Sequence, residues 1–289
     1  MAAGQAVSGR IQSIDFLRLV AAFSVVFIHS HVGENMRQLG YFIFDQAAGF
    51  AVPFFFIVSG YFFTQNVREA EFPGRIYRRY ALRLTMLFVV WSLINGAAIY
   101  IVNRHFDPWA QLGPNMTSHL WFFPALLIGL SLLFLFLKYD FCSGYIYFAV
   151  ILYILGLLAG AYALTPVGFY TDFNTRNGPF FASLFVGIGM LIALKDYRPS
   201  LRIAVLVLLA LALRDRFRIN HVTSYLSSAA KLTLGLYAIQ GVAITYLVKT
   251  EFPLGNSYRP FIYPVAVFTL SLYLAFIISK IPGLRRIVS

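Results

Sequence analysis

The sequence predicts an all-α, polytopic bundle of transmembrane helices, and three observations carry that prediction. Sixty per cent of the 289 residues are hydrophobic and 12% are charged, where a soluble domain has about a quarter charged; mean hydropathy is +0.74. Apolar runs follow one another, most of them near the ~20 residues that cross a ~30 Å hydrocarbon layer. Basic residues gather in the short loops between these runs, as the cytoplasmic excess of Lys and Arg requires. The 30 Phe and 18 Tyr suit lipid-facing helices and interfacial anchoring.

In chain order the runs lie at 14–32, 42–64, 80–102, 119–137, 144–164, 178–194, 201–213, 230–249 and 260–281. The loop REAEFPGRIYRRYALR (68–83) holds five Arg against two Glu and belongs in the cytoplasm. The first two runs then form a hairpin with the N-terminus inside. The nearly neutral loops 103–118 and 165–177 fall outside, and Lys195, Arg198 and Arg202 fall inside. The run LRIAVLVLLALAL (201–213) has thirteen residues and covers roughly 20 Å, short of the core. A full crossing there would put Arg214, Arg216 and Arg218 outside, and with them the Lys280, Arg285 and Arg286 end. Length and charge both favour a short, re-entrant or truncated segment. Of about 8–10 membrane segments, eight are full crossings, both termini are cytoplasmic, and residues 1–289 form one domain.

Other classes drop out on composition. The net charge of +12 reads as topology charge, not as a nucleic-acid surface. A single cysteine, Cys142, excludes an internal disulfide and a thiolate metal cage. The N-terminal MAAGQAVSGR carries one Arg and leads into the first run without a small-residue cleavage site, so no removable signal peptide is expected.

The first run, SIDFLRLVAAFSVVFIHSH (13–31), holds Asp15, Arg18 and His29 where a spanning helix should be apolar. At 100° per residue, Arg18 and His29 lie within about 20° of alignment, and Asp15 and His29 within about 40°. The three share one face, with Arg18 some 16 Å from His29 along the axis. His31 points to nearly the opposite side. Asp15 and Arg18 alone could be boundary residues, Arg18 snorkelling to headgroups. His29 could be a second boundary residue, but it lies about fourteen residues into the run, and an ionisable residue at that depth defaults to a functional reading. Histidine there can relay protons, bind a metal, or act as base or nucleophile. No metal is expected, because His105, His119 and His221 sit singly in different loops. Buried acids are too few for a typical proton-coupled carrier, which leaves base or nucleophile as the better role.

These residues resemble the opening of the acyltransferase family 3 proteins, whose hallmark is an Arg, ten residues, then a His in the first helix. Arg18 and His29 match it, with Asp15 as the usual preceding acid. Further stretches match in order: PFFFIVSGYFF (53–63), RRYALRLTMLFVVWSLI (78–94), HLWFFPALL (119–127), TRNGPFF (175–181) and KLTLGLYAIQ (231–240). The sequence departs at Gln240, where many members carry His, and at Leu87, where Pro is usual. It is shorter than most members around 201–221.

The resemblance implies an integral-membrane O-acyltransferase of a bacterial inner membrane. Such an enzyme moves an acyl group, usually acetyl from cytoplasmic acetyl-CoA, to a hydroxyl of a sugar or cell-surface glycan. His29 would take the acyl group or the acceptor's proton, Arg18 would hold the donor, and Asp15 would orient Arg18. Arg75, Arg78, Arg79 and Arg83 form a basic patch suited to coenzyme A phosphates; topology charge and lipid phosphate explain each of them as well. Trp121, Arg176 and Asn177 are candidates for acceptor contacts, against an interface-anchor reading for Trp121 and helix-end readings for the other two. Ser59-Gly60-Tyr61 reads as a close-packing device. The partners expected are the lipid bilayer and a glycan acceptor, with no nucleic acid; oligomeric state is open. Two rivals stand beside the enzyme: a proton-coupled carrier or flippase for a lipid-linked sugar, and a non-catalytic descendant of the family.

Overall fold

The computed structural model describes residues 12–29, 49–104, 119–175, 178–194, 228–249 and 259–288. All regular structure among the described residues is helical: α1 (Gln12–His29), α2 (Ala51–Glu69), α3 (Pro73–Asn103), α4 (Phe122–Lys138), α5 (Cys142–Ala159), α6 (Pro179–Leu194), α7 (Thr233–Lys249) and α8 (Arg259–Lys280). Short 3-10 turns cover His119–Trp121 and Leu284–Ile287. Within the described residues each apolar run read from the sequence overlaps one of these helices, except 201–213, which lies outside the described residues. Helices suit a lipid setting because every interior backbone N–H and C=O is satisfied within the element. Prolines sit in the first turns of α2 (Pro53), α3 (Pro73), α4 (Pro124) and α6 (Pro179), where their missing N–H is no loss; Pro264 lies inside α8.

Among the described residues, four stretches are long and apolar enough to cross a membrane: Pro73–Ile101, His119–Lys138, Cys142–Ala159 and Ile262–Lys280. Pro179–Leu194 and Thr233–Ile244 are shorter apolar helices. α3 runs 31 residues, or roughly 46 Å at 1.5 Å per residue. Its arginine-rich first third extends beyond the apolar stretch that begins at Leu84.

Burial separates the centre of the bundle from its rim. Eleven of the nineteen residues of α2 are buried, against two of the eighteen in α5; α2 is the hub and α5 the lipid-facing edge. Between apolar helices in lipid the water-driven hydrophobic term is missing, so close approach of small residues does the packing. The α2–α6 contact shows this. A Cβ on Gly60 would stand 2.2 Å from the Val186 carbonyl oxygen, and one on Gly189 would stand 2.1 Å from that of Ile57. The backbones touch, and the close-packing reading of Gly60 holds.

α2 continues past the apolar run to Glu69 because its polar turn is matched within the bundle. Gln65 Nε2 donates to the Tyr61 hydroxyl at 2.9 Å, and Asn66 Nδ2 donates to the Tyr80 hydroxyl at 3.0 Å. Tyr77 stacks on Phe134 with centroids 4.5 Å apart, which ties the start of α3 to the end of α4. The starts of α1, α3 and α7 and the segment after α8 meet at one end of the bundle, where Asp15, Arg83, Lys231 and Arg285 line a common cavity. His29, His119 and Trp121 mark the other end.

Candidate active site

At the first end, a cavity of about 690 Å³ is lined by residues from α1, α2, α3, α4, α7 and the C-terminal turn. Asp15 and Arg18 enter it from α1, and Ser59, Phe62 and Asn66 from α2. Asp15 lies in the first turn of α1, where a carboxylate complements the positive end of the helix dipole. It is 4% exposed and accepts a hydrogen bond from Arg18 Nη1 at 3.3 Å. The Arg18 guanidinium sits 5.4 Å above the centroid of the Phe62 ring, a geometry in which a cation is attracted to the aromatic face. One carboxylate and one ring thus fix the arginine that α1 presents.

Of the basic patch on α3, Arg83 reaches the cavity wall. Arg75 instead lies 4.9 Å over the Phe72 ring, while Arg78 and Arg79 are exposed and are not part of the wall. Two cations that sequence reading passed over, Lys231 and Arg285, are part of it.

At the other end, the ring of His29 packs against that of His119, centroids 6.3 Å apart and planes inclined at 61°. Histidines ninety residues apart in the chain are neighbours here, so the reading of His119 as solitary is corrected. His119 is firmly placed. Its Nε2 lies 3.3 Å from the Ala238 carbonyl oxygen; since a carbonyl only accepts, Nε2 carries the proton and Nδ1 is left as an acceptor. The Tyr237 hydroxyl donates to the His119 carbonyl. Asn95 Nδ2 donates to the Trp91 carbonyl at 2.9 Å and to that of Ala238 at 3.4 Å. Gly241 leaves the space that the His119 ring and Asn95 occupy.

Tyr237 belongs to both ends. It lines the cavity, its hydroxyl holds His119, and its ring lies 5.4 Å from that of Phe122, another cavity residue. Trp121 lies in an aromatic cluster at the histidine end, 6.3 Å from both Phe56 and Phe181. Arg176 and Asn177 lie outside the described residues. Just before them, Thr175 Oγ1 donates to the Gly156 carbonyl at 2.8 Å. Gln240 is fully buried, and neither of its amide atoms meets a partner among the described residues. Among the described residues no three His, Cys, Asp or Glu side chains converge as a metal site.

The arrangement is a cationic cavity joined along α1 to an imidazole pair roughly 16 Å away, the rise from Arg18 to His29. It can hold an anionic group at one end and supply a base or nucleophile at the other.

Comparisons with known proteins bear on this geometry. The profile of a family described as "Acyltransferase domain" matches residues 11–213, which include α1 to α6. An amino-acid racemase of Enterococcus faecalis is 32% identical over 199 residues, 61% of this chain and 27% of that protein. A serine/alanine racemase of Enterococcus gallinarum is 30% identical over 210 residues, 66% of this chain and 30% of that protein. The chain therefore matches under a third of the length of these relatives. No solved structure matches it. With the profile covering most of the chain and the Arg18–His29 spacing built into α1, the chain belongs to the acyltransferase family 3.

Proposed function

We propose that the protein is a membrane-bound O-acyltransferase of a bacterial inner membrane. It moves an acetyl group from cytoplasmic acetyl-CoA to a hydroxyl of a sugar or cell-surface glycan. One observation supports this above the others: in a family of acyltransferases, α1 carries Arg18 into a cationic cavity and His29 into an imidazole pair. The cavity takes the anionic part of the donor, Arg18 holds it, and Asp15 fixes Arg18. The donor's extended pantetheine arm runs along α1 and brings the thioester toward His29.

There the acceptor hydroxyl gives its proton to an imidazole nitrogen of His29 while its oxygen attacks the thioester carbonyl carbon. The carbon–sulfur bond breaks, the thiolate takes the proton from His29, and ester and free coenzyme A leave. General-base help of this kind contributes about 10²–10⁴-fold. His119 acts through His29: its ring, pinned by Ala238 and Tyr237, holds the His29 ring plane. Trp121, Arg176 and Asn177 are the acceptor-side candidates.

The test uses purified protein in nanodiscs with acetyl-CoA labelled in the acetyl group and a cell-envelope glycan extract. The expected result is labelled ester that is lost in both His29→Ala and Arg18→Ala. Retention of label in His29→Ala overturns the role of His29. No label from the intact protein overturns the enzyme and favours the carrier, in which His29 relays a proton.

A further inference from the structure

We infer that Lys231 and Arg285, contributed by the last fifth of the chain, form a phosphate clamp that makes the cavity prefer donors bearing a diphosphate; this rests on the acyl-donor reading above. Both residues lie beyond the stretch 11–213 matched to the family. Four cations line the cavity, Arg18, Arg83, Lys231 and Arg285, with Asp15 as the acid of the described lining. Over the described lining residues this is a formal +3. A multivalent anion complements such a cluster of cations. The mixture of forked guanidinium groups and an ammonium suits phosphate oxygens.

The position of Arg285 is set by a built device. After α8 the chain turns at Gly283, whose φ of 89° is costly for any residue with a side chain. The turn Leu284–Ile287 then folds back against the bundle. Trp91 Nε1 donates to the Ile287 carbonyl at 2.9 Å. Val288 is fully buried in a notch at Gly235, where a Cβ would stand 2.6 Å from the Val288 Cα. These two contacts, at Ile287 and Val288, hold the turn from which Arg285 lines the cavity. Lys231 ends a helical turn at 228–231, just before α7, and lines the cavity from there.

A lipid headgroup offers the same phosphate chemistry as a soluble donor, and the experiment separates them. Protein, Lys231→Gln and Arg285→Gln are placed in phosphatidylcholine nanodiscs free of anionic lipid. Inorganic pyrophosphate is titrated against thermal unfolding, and kcat/KM is measured for acetyl-CoA and for phosphate-free acetyl-pantetheine. The clamp requires that each variant need about tenfold more pyrophosphate for half-maximal stabilisation. It also requires that the ratio of acetyl-CoA to acetyl-pantetheine kcat/KM fall about tenfold, with recovery in Lys231→Arg and Arg285→Lys. A ratio and a titration midpoint that match the parent in both variants overturn it. Loss of pyrophosphate binding on adding phosphatidylglycerol, at equal lipid mass, assigns the cations to a headgroup and also overturns it. Lys231 is exposed, so its variant carries the test if Arg285→Gln fails to fold. A parent protein that binds pyrophosphate but transfers no acetyl removes the acyltransferase reading and leaves the clamp. Transfer with an unaltered donor ratio does the reverse.

Discussion

Gly241→Ala adds one methyl group beside the histidine pair. Its Cβ would lie 2.2 Å from His119 Cε1, 2.9 Å from His119 Nδ1 and 2.7 Å from Asn95 Oδ1. Carbon atoms in contact prefer about 3.5–4.0 Å, so the imidazole must retreat by more than ~1 Å. The His119 carbonyl is held by Tyr237, so the ring must swing while the backbone stays. Its bond to the Ala238 carbonyl, already 3.3 Å long, then breaks, and the contact with His29 changes. Crowding of this kind costs about 1–3 kcal/mol of stability, partly offset by the ~1 kcal/mol that Ala gains over Gly inside a helix. A shift of ~1 Å near reacting groups can cost up to 10²-fold in rate. The assay compares kcat, donor KM and unfolding temperature with those of Gly74→Ala, where a Cβ meets nothing within 4 Å. The expected outcome is a fall in kcat of about 10–100-fold, with donor KM little changed because the cavity is at the other end of α1. A folded Gly241→Ala protein with the parent's kcat refutes the claim that His119 positions His29.

Gly189→Ala should lower the unfolding temperature in detergent, since its Cβ would meet backbone atoms, Ile57 O at 2.1 Å and Tyr61 N at 2.7 Å, which cannot rotate aside; the loss should be about 1–3 kcal/mol. Trp91→Phe deletes the bond to the Ile287 carbonyl, worth about 1 kcal/mol. Limited proteolysis should then remove the C-terminal turn faster than in the parent. Gln240→Leu replaces a fully buried amide without described partners and should raise stability by about 1–3 kcal/mol; a lower unfolding temperature shows that the amide is satisfied. In a Cys142→Ala background, a cysteine at Arg78 should label only from the cytoplasmic face and one at Tyr170 only from the opposite face. The same side for both overturns the orientation read from loop charge.

Much of the bundle was legible in the linear sequence because a bilayer imposes few solutions: runs of set length, helical throughout, with basic loops on one side. The Asp15–Arg18–His29 stripe was legible too, because a single helix converts spacing into direction. Arg83 was readable as one cation of a basic patch but not distinguishable from Arg75, Arg78 and Arg79. All four lie on one basic stretch, and only the way the helices pack around the cavity sets Arg83 apart from the others.

By itself, then, the sequence determined the helical class, the family resemblance and the face of α1 that bears the ionisable groups. These depend on interactions local in the chain, namely hydropathy over some twenty residues and the fixed turn of a helix. Only the tertiary structure decided which distant residues share a space. It brought His119 to His29, set Lys231 and Arg285 in the same cavity as Arg18, and made Tyr237 common to both ends. Those contacts arise from how helices cross. Glycine lets two backbones meet at Gly60 and Gly189 and makes room for the His119 ring at Gly241, and no spacing within one helix encodes that.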